Sequence, residues 1–410
     1  MSKMIDVAVI GAGPYGLSLA AHLATAGLDV HVFGEPMQFW RNCMPRGMVL
    51  KSEGFASNLW HPDGAFTLED YCSDYGLPYQ SSGLPVPLQT FIDYGVAFRQ
   101  RFVPELDERR VTLLDRTSDG FALRLQKDET VWAKRVVVAA GIGSFRYVPC
   151  ELDGIAGPLC SHSIDHRVLD GFAGQRVLVI GGGASGVELA GLISQKGAGV
   201  TVATRQNRIP YCSPPRPRSL LDKIRAPETG LGTGWRSLAA VEAPMLFYRM
   251  PEAFRHTVVR RHLGPAPGWT SREQVERHVT VIPGADLTSA TAGSGGARVS
   301  FRLNDGTERA VEADHVIAAT GFRVDMRRLD FIGAGIMERL RCADLTPVLS
   351  SHFETSVPGL FMIGVAAANS FGPLLRFAYG AGFASRRLSG FLARTAASRS
   401  VSVRGELAAA

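Results

Sequence analysis

A strand, a glycine-rich turn and a helix follow one another twice in this chain, and each copy runs on through a hairpin into an apolar strand that ends in glycine. In the first copy Ile5 to Ile10 is a nearly unbroken apolar run, as a parallel strand buried on both faces requires. GAGPYG follows at 11–16, then a helix rich in small residues (Ala20, Ala21, Ala24) stopped by Gly27, then the strand Val30 to Phe33. The second copy reads RVLVI from Arg176, GGGASG at 181–186, a helix carrying Val187, Leu189, Ala190 and Ile193, and VTVAT up to Thr204. One such fingerprint is weak. Two in strand-turn-helix context predict a pair of dinucleotide-binding units.

The correspondence continues downstream. Phe121 to Gln126 and Thr130 to Ala133 predict a hairpin around Lys127-Asp128-Glu129, leading into VVVAAG and Gly141. Arg298 to Leu303 and Thr307 to Val311 repeat this around Asn304-Asp305-Gly306, leading into VIAATG, with Thr320 before Gly321. The spans from Gly11 to Gly141 and from Gly181 to Gly321 are 130 and 140 residues. The predicted fold is α/β with two Rossmann-like domains, the second inserted in the first. Residues 1–168 and 314–410 form one, and 169–313, with an Arg-rich insert at about 206–277, form the other.

Each fingerprint glycine has a separate task. Gly11 and Gly181 permit the tight turn, Gly13 and Gly183 let backbone approach a pyrophosphate, and Gly16 and Gly186 let helix and strand pack closely. The helix N-termini at Pro14-Tyr15 and Ala184-Ser185 then face an anion. A ribose-binding acid belongs near the end of the following strand. The first copy has Gly34 there and Glu35 next, which suits the unphosphorylated ribose of FAD. The second has Thr204, then Arg205 and Arg208, which suits a ribose 2′-phosphate and hence NADPH. Toward the C-terminus Leu360 to Gly364 reads as a buried strand. Gly372-Pro373 reads as opening a helix through about Arg394, whose N-terminus would face a reduced flavin.

Composition narrows the alternatives. With 46% hydrophobic and 20% charged residues the chain is globular in type, and no apolar run is long enough to span a bilayer. The first strand begins almost at Met1, leaving no room for a signal peptide, so a cytoplasmic protein is expected. The net charge of +6 is local: 205–277 holds twelve Arg and one Lys against six acids, so the rest sums to −1. That segment includes Ser213-Pro214-Pro215-Arg216-Pro217, carries no nucleic-acid-binding signature, and is long enough to supply helices over a substrate pocket. The six cysteines include no C-x-x-C pair and no metal-like cluster; they read as buried free thiols. His162 and His166, flanking Asp165, read as surface residues of a Gly/Pro-rich junction.

GAGPYG, GGGASG and the ATGF ending at Phe322 resemble the class B flavin-dependent monooxygenases, which include amine N-hydroxylases, sulfide and amine oxygenases and Baeyer–Villiger enzymes. Trp40 followed by Gly47-Met48-Val49-Leu50, and Pro87 through Arg99, are similar to segments of the ornithine and lysine N-hydroxylases. The likeness spans about 5–394. The Baeyer–Villiger motif F-x-G-x-x-x-H is distorted here, with Ile155 for Phe and His162 one residue late after Gly157. Ala140 also replaces the Thr usual before Gly141, and Gly364-Val365 stands where related reductases carry Gly-Asp.

The resemblance implies that NADPH reduces FAD and that a peroxyflavin passes one oxygen atom of dioxygen to a small organic substrate, at nitrogen or sulfur. It puts Trp40 beside the cofactor and Lys51, Ser52 and Asn58 at the flavin front, with Ser52 and Asn58 as catalytic candidates. No metal is implied, and the oligomeric state is open. The rival readings are a flavin reductase serving ferredoxin or a quinone, and a nucleotide-binding scaffold without turnover.

Overall fold

The computed structural model describes residues 4–409 except 215, 217, 263 and 265, with side chains described to residue 397. Pro215 and Pro217 of the proline-rich run, and the outermost residues of the expected domain limits, lie outside the described residues.

The first sheet grows from strand Ile5–Ile10, which is flanked in parallel by Val30–Phe33 and by Thr130–Val138. On its other edge the long strand Thr130–Val138 serves two further partners. Its first half pairs antiparallel with Phe121–Leu125, itself paired with Val111–Arg116, and its second half carries Leu360–Met362 in parallel. The second strand of the expected hairpin and the valines of VVVAAG are therefore one continuous strand. The helix Pro14–Thr25 buries Leu17, Ala20 and Ala21 in the core this sheet shares, and the helix Leu88–Phe102 buries Phe91, Tyr94 and Phe98 there too.

The second sheet repeats the parallel core in the order Val279–Ile282, Gly199–Ala203, Arg176–Ile180, His315–Ala318, Cys160–His162. A three-stranded antiparallel sheet (Ala285–Gly293, Gly296–Leu303, Glu308–Ala313) covers one face and shares a core with Leu152 and Ile155. The helix Ala184–Ser194 covers the other face. Since Cys160–His162 and His315–Ala318 pair inside this sheet, the second unit runs from about residue 150 to residue 318. Both of these strands lie just beyond the expected limits of 169 and 313, and a strand of three residues such as Cys160–His162 carries no alternation in sequence.

Two further expectations change. Gly372-Pro373 opens no long helix: Pro373–Arg376 and Ala378–Gly380 are short 3₁₀ turns, and the helix starts at Ala381. Gly372 at φ +96° and the extended Phe377 (φ −118°, ψ 150°) interrupt regular helix. The cysteines are not uniformly buried either; Cys72 is, whereas Cys150 and Cys342 are exposed.

The insert folds into short helices, among them Trp235–Glu242, Pro244–Tyr248, Glu252–Arg261 and Arg272–His278. They pack on the C-terminal segment of the first unit: Tyr248 stacks on Phe371 at 5.2 Å, and Arg255 donates to the carbonyl of Asn369 at 3.1 Å. Among the described residues no helix is long and apolar enough to cross a membrane.

A Cβ on Gly16 would overlap the carbonyl oxygen of Gly11, and neither group can move without breaking the strand-to-helix turn. Gly16→Ala is expected to lose at least about 1–3 kcal/mol by the cost of overpacking. Gly13→Ala, whose Cβ meets nothing within 4 Å, leaves the urea midpoint of the apoprotein nearly unchanged. Equal midpoints for the two variants would refute this division of labour.

Candidate active site

Both parallel sheets direct the carboxyl ends of their strands toward one cleft, where ligands of such sheets collect. The cavity is about 390 Å³, a size suited to small molecules and parts of cofactors. Its floor is the first fingerprint. Gly11 (φ +113°) turns the chain off the strand in a backbone region that L side chains avoid, and Gly13 caps the helix with open space where a Cβ would stand. That vacant cradle at a helix N-terminus fits a pyrophosphate. Pro14 and Tyr15 line the same floor. The Tyr15 hydroxyl donates to the carbonyl of Phe377 at 2.8 Å, tying the first turn to the C-terminal segment, and burial raises its pKa far above the ordinary range.

Glu35 lies at the rim at the end of the second strand, with Asn42 donating to it at 3.5 Å. Trp40 packs edge-on against Phe91 at 4.8 Å and, with Phe39, Met48, Leu50 and Phe322, makes much of the wall apolar. Gly141 (φ +69°) and Gly364 (φ +77°) complete it. From the second unit come Ala184 and Ser185, at the start of the helix capped by Gly183. The cleft thus joins one fingerprint to the other.

Several expected residues lie outside the cavity. Gly16, Gly181 and Gly186 are packing glycines: a Cβ on Gly181 would overlap the Ala319 carbonyl, and one on Gly186 would overlap that of Gly181. Arg205 and Arg208 are exposed beyond the end of strand Gly199–Ala203, with Thr204 buried between strand and turn. Thr320 donates to the Tyr147 carbonyl, and the Gly321 carbonyl accepts from His162 at 3.1 Å, so both brace the junction. Gly372 faces Phe247 of the insert, and Pro373 is buried beside it.

Of the two catalytic candidates, Ser52 lines the cleft, as does Lys51. Asn58 does not. Its amide nitrogen donates to the Phe55 carbonyl at 3.1 Å and its oxygen accepts from the Leu68 amide at 2.8 Å, so its polar atoms are used in tying a turn to the start of the helix Leu68–Asp74. The junction histidines are not surface groups: His162 is buried, and burial and His315 push His166 down to about 4. Among the described residues none of 206–277 lines the cavity, and the insert packs instead on the C-terminal segment of the first unit.

Two charged residues missed in the sequence do line it. Glu188 is buried on the helix Ala184–Ser194, one turn beyond Ala184, and accepts from the Gly268 amide at 3.2 Å. Burial pushes its carboxyl up to about 7, against the pull of Lys51. An acid at a spacing of four from the fingerprint's Ala184 was the available signal. Arg376 stands in the C-terminal 3₁₀ turn, and a lone charge within PLLRFAYG marked it.

Fold and site together define a flavoprotein type with two dinucleotide-binding units. A family model described as "Pyridine nucleotide-disulphide oxidoreductase" matches residues 5–226, over half the chain, and the chain belongs to that family. It is 24% identical over 267 residues to a ferredoxin–NADP reductase of Gluconobacter oxydans (strain 621H), covering 65% of this chain and 62% of that one. It is 27% identical over 208 residues to one of Streptococcus pyogenes serotype M28, covering 50% and 56%. The chain therefore spans about three fifths of the length of these curated relatives. Among solved structures, an ornithine N-hydroxylase of Kutzneria sp. 744 with reduced FAD, NADP⁺ and L-ornithine superposes with a TM-score of 0.75 at 16% identity, covering 96% of this chain and 100% of that one. The bacillithiol disulfide reductase of Staphylococcus aureus gives 0.66 at 16%, covering 96% and 99%. These likenesses establish the fold. The chain's family is one of pyridine-nucleotide oxidoreductases, and the two fingerprints are the dinucleotide-binding elements of that fold.

Two outcomes follow from this geometry. Gly13→Asp puts a carboxylate where pyrophosphate must approach, and the variant is expected to purify folded but colourless; normal flavin absorbance would overturn the placement. Glu188 has a folded pKa above its unfolded value, so the native state holds the extra proton and stability falls as pH rises from about 4.5 to about 7. Glu188→Gln removes that slope and should gain roughly 1–3 kcal/mol at pH 8. Urea melts of the apoprotein at pH 5 and pH 8 measure it.

Proposed function

We propose that this chain is a monooxygenase that consumes NADPH and places one oxygen atom of dioxygen on the nitrogen or sulfur of a small organic substrate. The observation that carries this reading is the wall of the cleft between the two fingerprints. It is mainly apolar, and among the described residues Cys43 is the one cysteine lining it, so it offers no dithiol. Apolar walls keep water from a reactive site, whereas a disulfide reductase needs a second thiol within reach. The reductase named in the curated relatives is the competing reading, and the fate of dioxygen separates the two.

A bound FAD would supply the hydride-accepting and oxygen chemistry. The protein's residues would do the rest. Gly13, Pro14 and Tyr15 admit the flavin pyrophosphate, Glu35 takes its ribose, and Trp40, Gly141 and Gly364 flank the flavin. Gly183, Ala184 and Ser185 meet the pyrophosphate of NADPH, and Arg205, with Arg208 behind it, meets the 2′-phosphate. Glu188, between the two nucleotides and near neutrality, holds or releases a proton beside Lys51. Ser52 presents a hydroxyl to the same space.

Arg205→Ala is expected to raise the KM for NADPH about ten- to a hundredfold, the worth of a charge-assisted phosphate contact, and to leave that for NADH almost unchanged. Equal effects would remove the phosphate role. With labelled dioxygen and a panel of amines and sulfides, the yellow holoprotein should transfer one labelled atom to product while peroxide release falls. NADPH consumption with no label in any product, together with rapid reduction of ferredoxin or a quinone, would replace this reading by the reductase.

A further inference from the structure

Among the described residues, eight of the fourteen large apolar side chains left exposed lie within 206–277, less than a fifth of the chain, and the same stretch with Arg205 carries the whole charge excess. Single exposed apolar residues are ordinary. Their concentration beside cations marks a contact surface.

The tip of this surface is the helix Leu220–Arg225. Leu220, Leu221 and Ile224, at spacings of three and four, share one of its faces and are 79%, 64% and 66% exposed; the helix buries none of its residues. Its order comes from its ends. The Ser219 hydroxyl accepts from the Asp222 amide, the Asp222 carboxylate accepts from the Ser219 amide, and the Arg218 guanidinium donates to the carbonyls of Asp222 and Ala226. Just beyond, the Gly234 amide donates to the Pro227 carbonyl at 2.8 Å, which sets Trp235, 61% exposed, next to the end of that helix. The short hairpin of Glu228–Thr229 and Gly232–Thr233 between them is rooted in the first unit: Leu231 is buried in its core, and a Cβ on Gly230 would overlap the Tyr379 ring. The root is packed and the tip is not. A helix of six residues has little stability of its own, and this one draws none from an apolar face.

Residues 216–236 hold Arg216, Arg218, Lys223, Arg225 and Arg236 against Asp222 and Glu228. Both acids are engaged, Asp222 in the cap and Glu228 as acceptor from Ser82 at 3.4 Å. Cations thus flank the apolar face along the chain. Guanidinium pairs with phosphate through two parallel hydrogen bonds, while aliphatic and indole groups enter the layer beneath lipid headgroups. Two rival occupants fit less well. A second copy laid tip to tip brings like charges together, and a protein surface needs a shaped counterpart, whereas side chains standing this far out suit a fluid apolar phase.

We propose that this tip docks the chain on the surface of an anionic phospholipid bilayer, with Leu220, Leu221, Ile224 and Trp235 entering the interface and Arg225 and Arg236 meeting lipid phosphates. The contact is peripheral. It goes beyond the reading of the cleft, which it neither needs nor alters.

The test incubates the full chain with vesicles of phosphatidylcholine, alone or mixed with phosphatidylglycerol, and separates bound from free protein by flotation. The mixed vesicles should bind at least about tenfold tighter than the neutral ones, and raising salt from about 0.1 M to about 1 M should remove most of that advantage. Leu221→Ser with Ile224→Ser should weaken binding at least about tenfold, and Arg225→Gln with Arg236→Gln should bring the mixed vesicles down to the level of the neutral ones. All four side chains are exposed, so both variants should keep the wild-type melting temperature. Nitroxide-labelled lipid should quench the fluorescence of the wild type more than that of Trp235→Phe, and this comparison decides if a paired variant does not fold. The proposal is overturned by absent binding to mixed vesicles, by equal binding to both compositions, by binding undiminished in the Leu221 and Ile224 variant, or by equal quenching with and without Trp235. A dimer that the Leu221 and Ile224 changes split assigns the face to a second copy and overturns it. Polyglutamate bound as tightly as mixed vesicles, and weakened by the same changes, assigns the face to an acidic protein and overturns it as well.

Discussion

Two backbone contacts govern this architecture: the Gly11 carbonyl lies against Gly16, and the Gly181 carbonyl lies against Gly186. Each permits a helix to leave its strand so steeply that the helix N-terminus sits directly over the strand's carboxyl end. Any side chain at the second glycine would hold helix and strand apart and move the helix's free N–H groups away from the phosphate site. Each contact is buttressed by a third strand, because Gly11 and Gly181 also press on the carbonyls of Ala139 and Ala319. Both nucleotide sites therefore depend on backbone meeting backbone, and side chains are left to decide which nucleotide enters.

Insertion of one unit in the other turns two such sites into one cleft. The chain leaves the first sheet after Val138, crosses to the second through the short strand Cys160–His162, and returns after Ala318 past Phe322, which lines the cavity. Arg146 and Phe322 pair at this double crossing, and His162 holds the Gly321 carbonyl there. The junction's polar groups are mostly spent on one another. This explains why histidines that read as loop residues are buried and why they contribute no acid or base to the cleft.

The parts legible in sequence are those where a residue type has one physical use. A glycine between strand and helix at fingerprint spacing could be assigned to turn, approach or packing, and the structure gives Gly11, Gly13 and Gly16 those separate surroundings. Polar residues were less legible because their uses are many. Asn58 is committed to a turn, and Ser52, six residues earlier in the same stretch, faces the cavity; the string SEGFASN contains nothing that separates them. The break after Gly372 escaped for another reason. Pro373 suits a helix start, but Phe377 is extended, and that choice is made by tertiary contacts such as Tyr15 donating to its carbonyl.

Those contacts also account for the placement of charge. Two charged residues of the mainly apolar cleft are Glu188, from the second unit, and Arg376, from the C-terminal segment, and the two form no ion pair with each other. A directly paired acid and base would neutralise each other and present little to a ligand. Held apart by separate backbone groups, Gly268 for the acid and Val259 for the base, each keeps its own electrostatic role. Both of those backbone groups belong to 206–277, none of whose described residues lines the cavity. The insert thus braces one charged side chain from each of the two dinucleotide units through its own backbone.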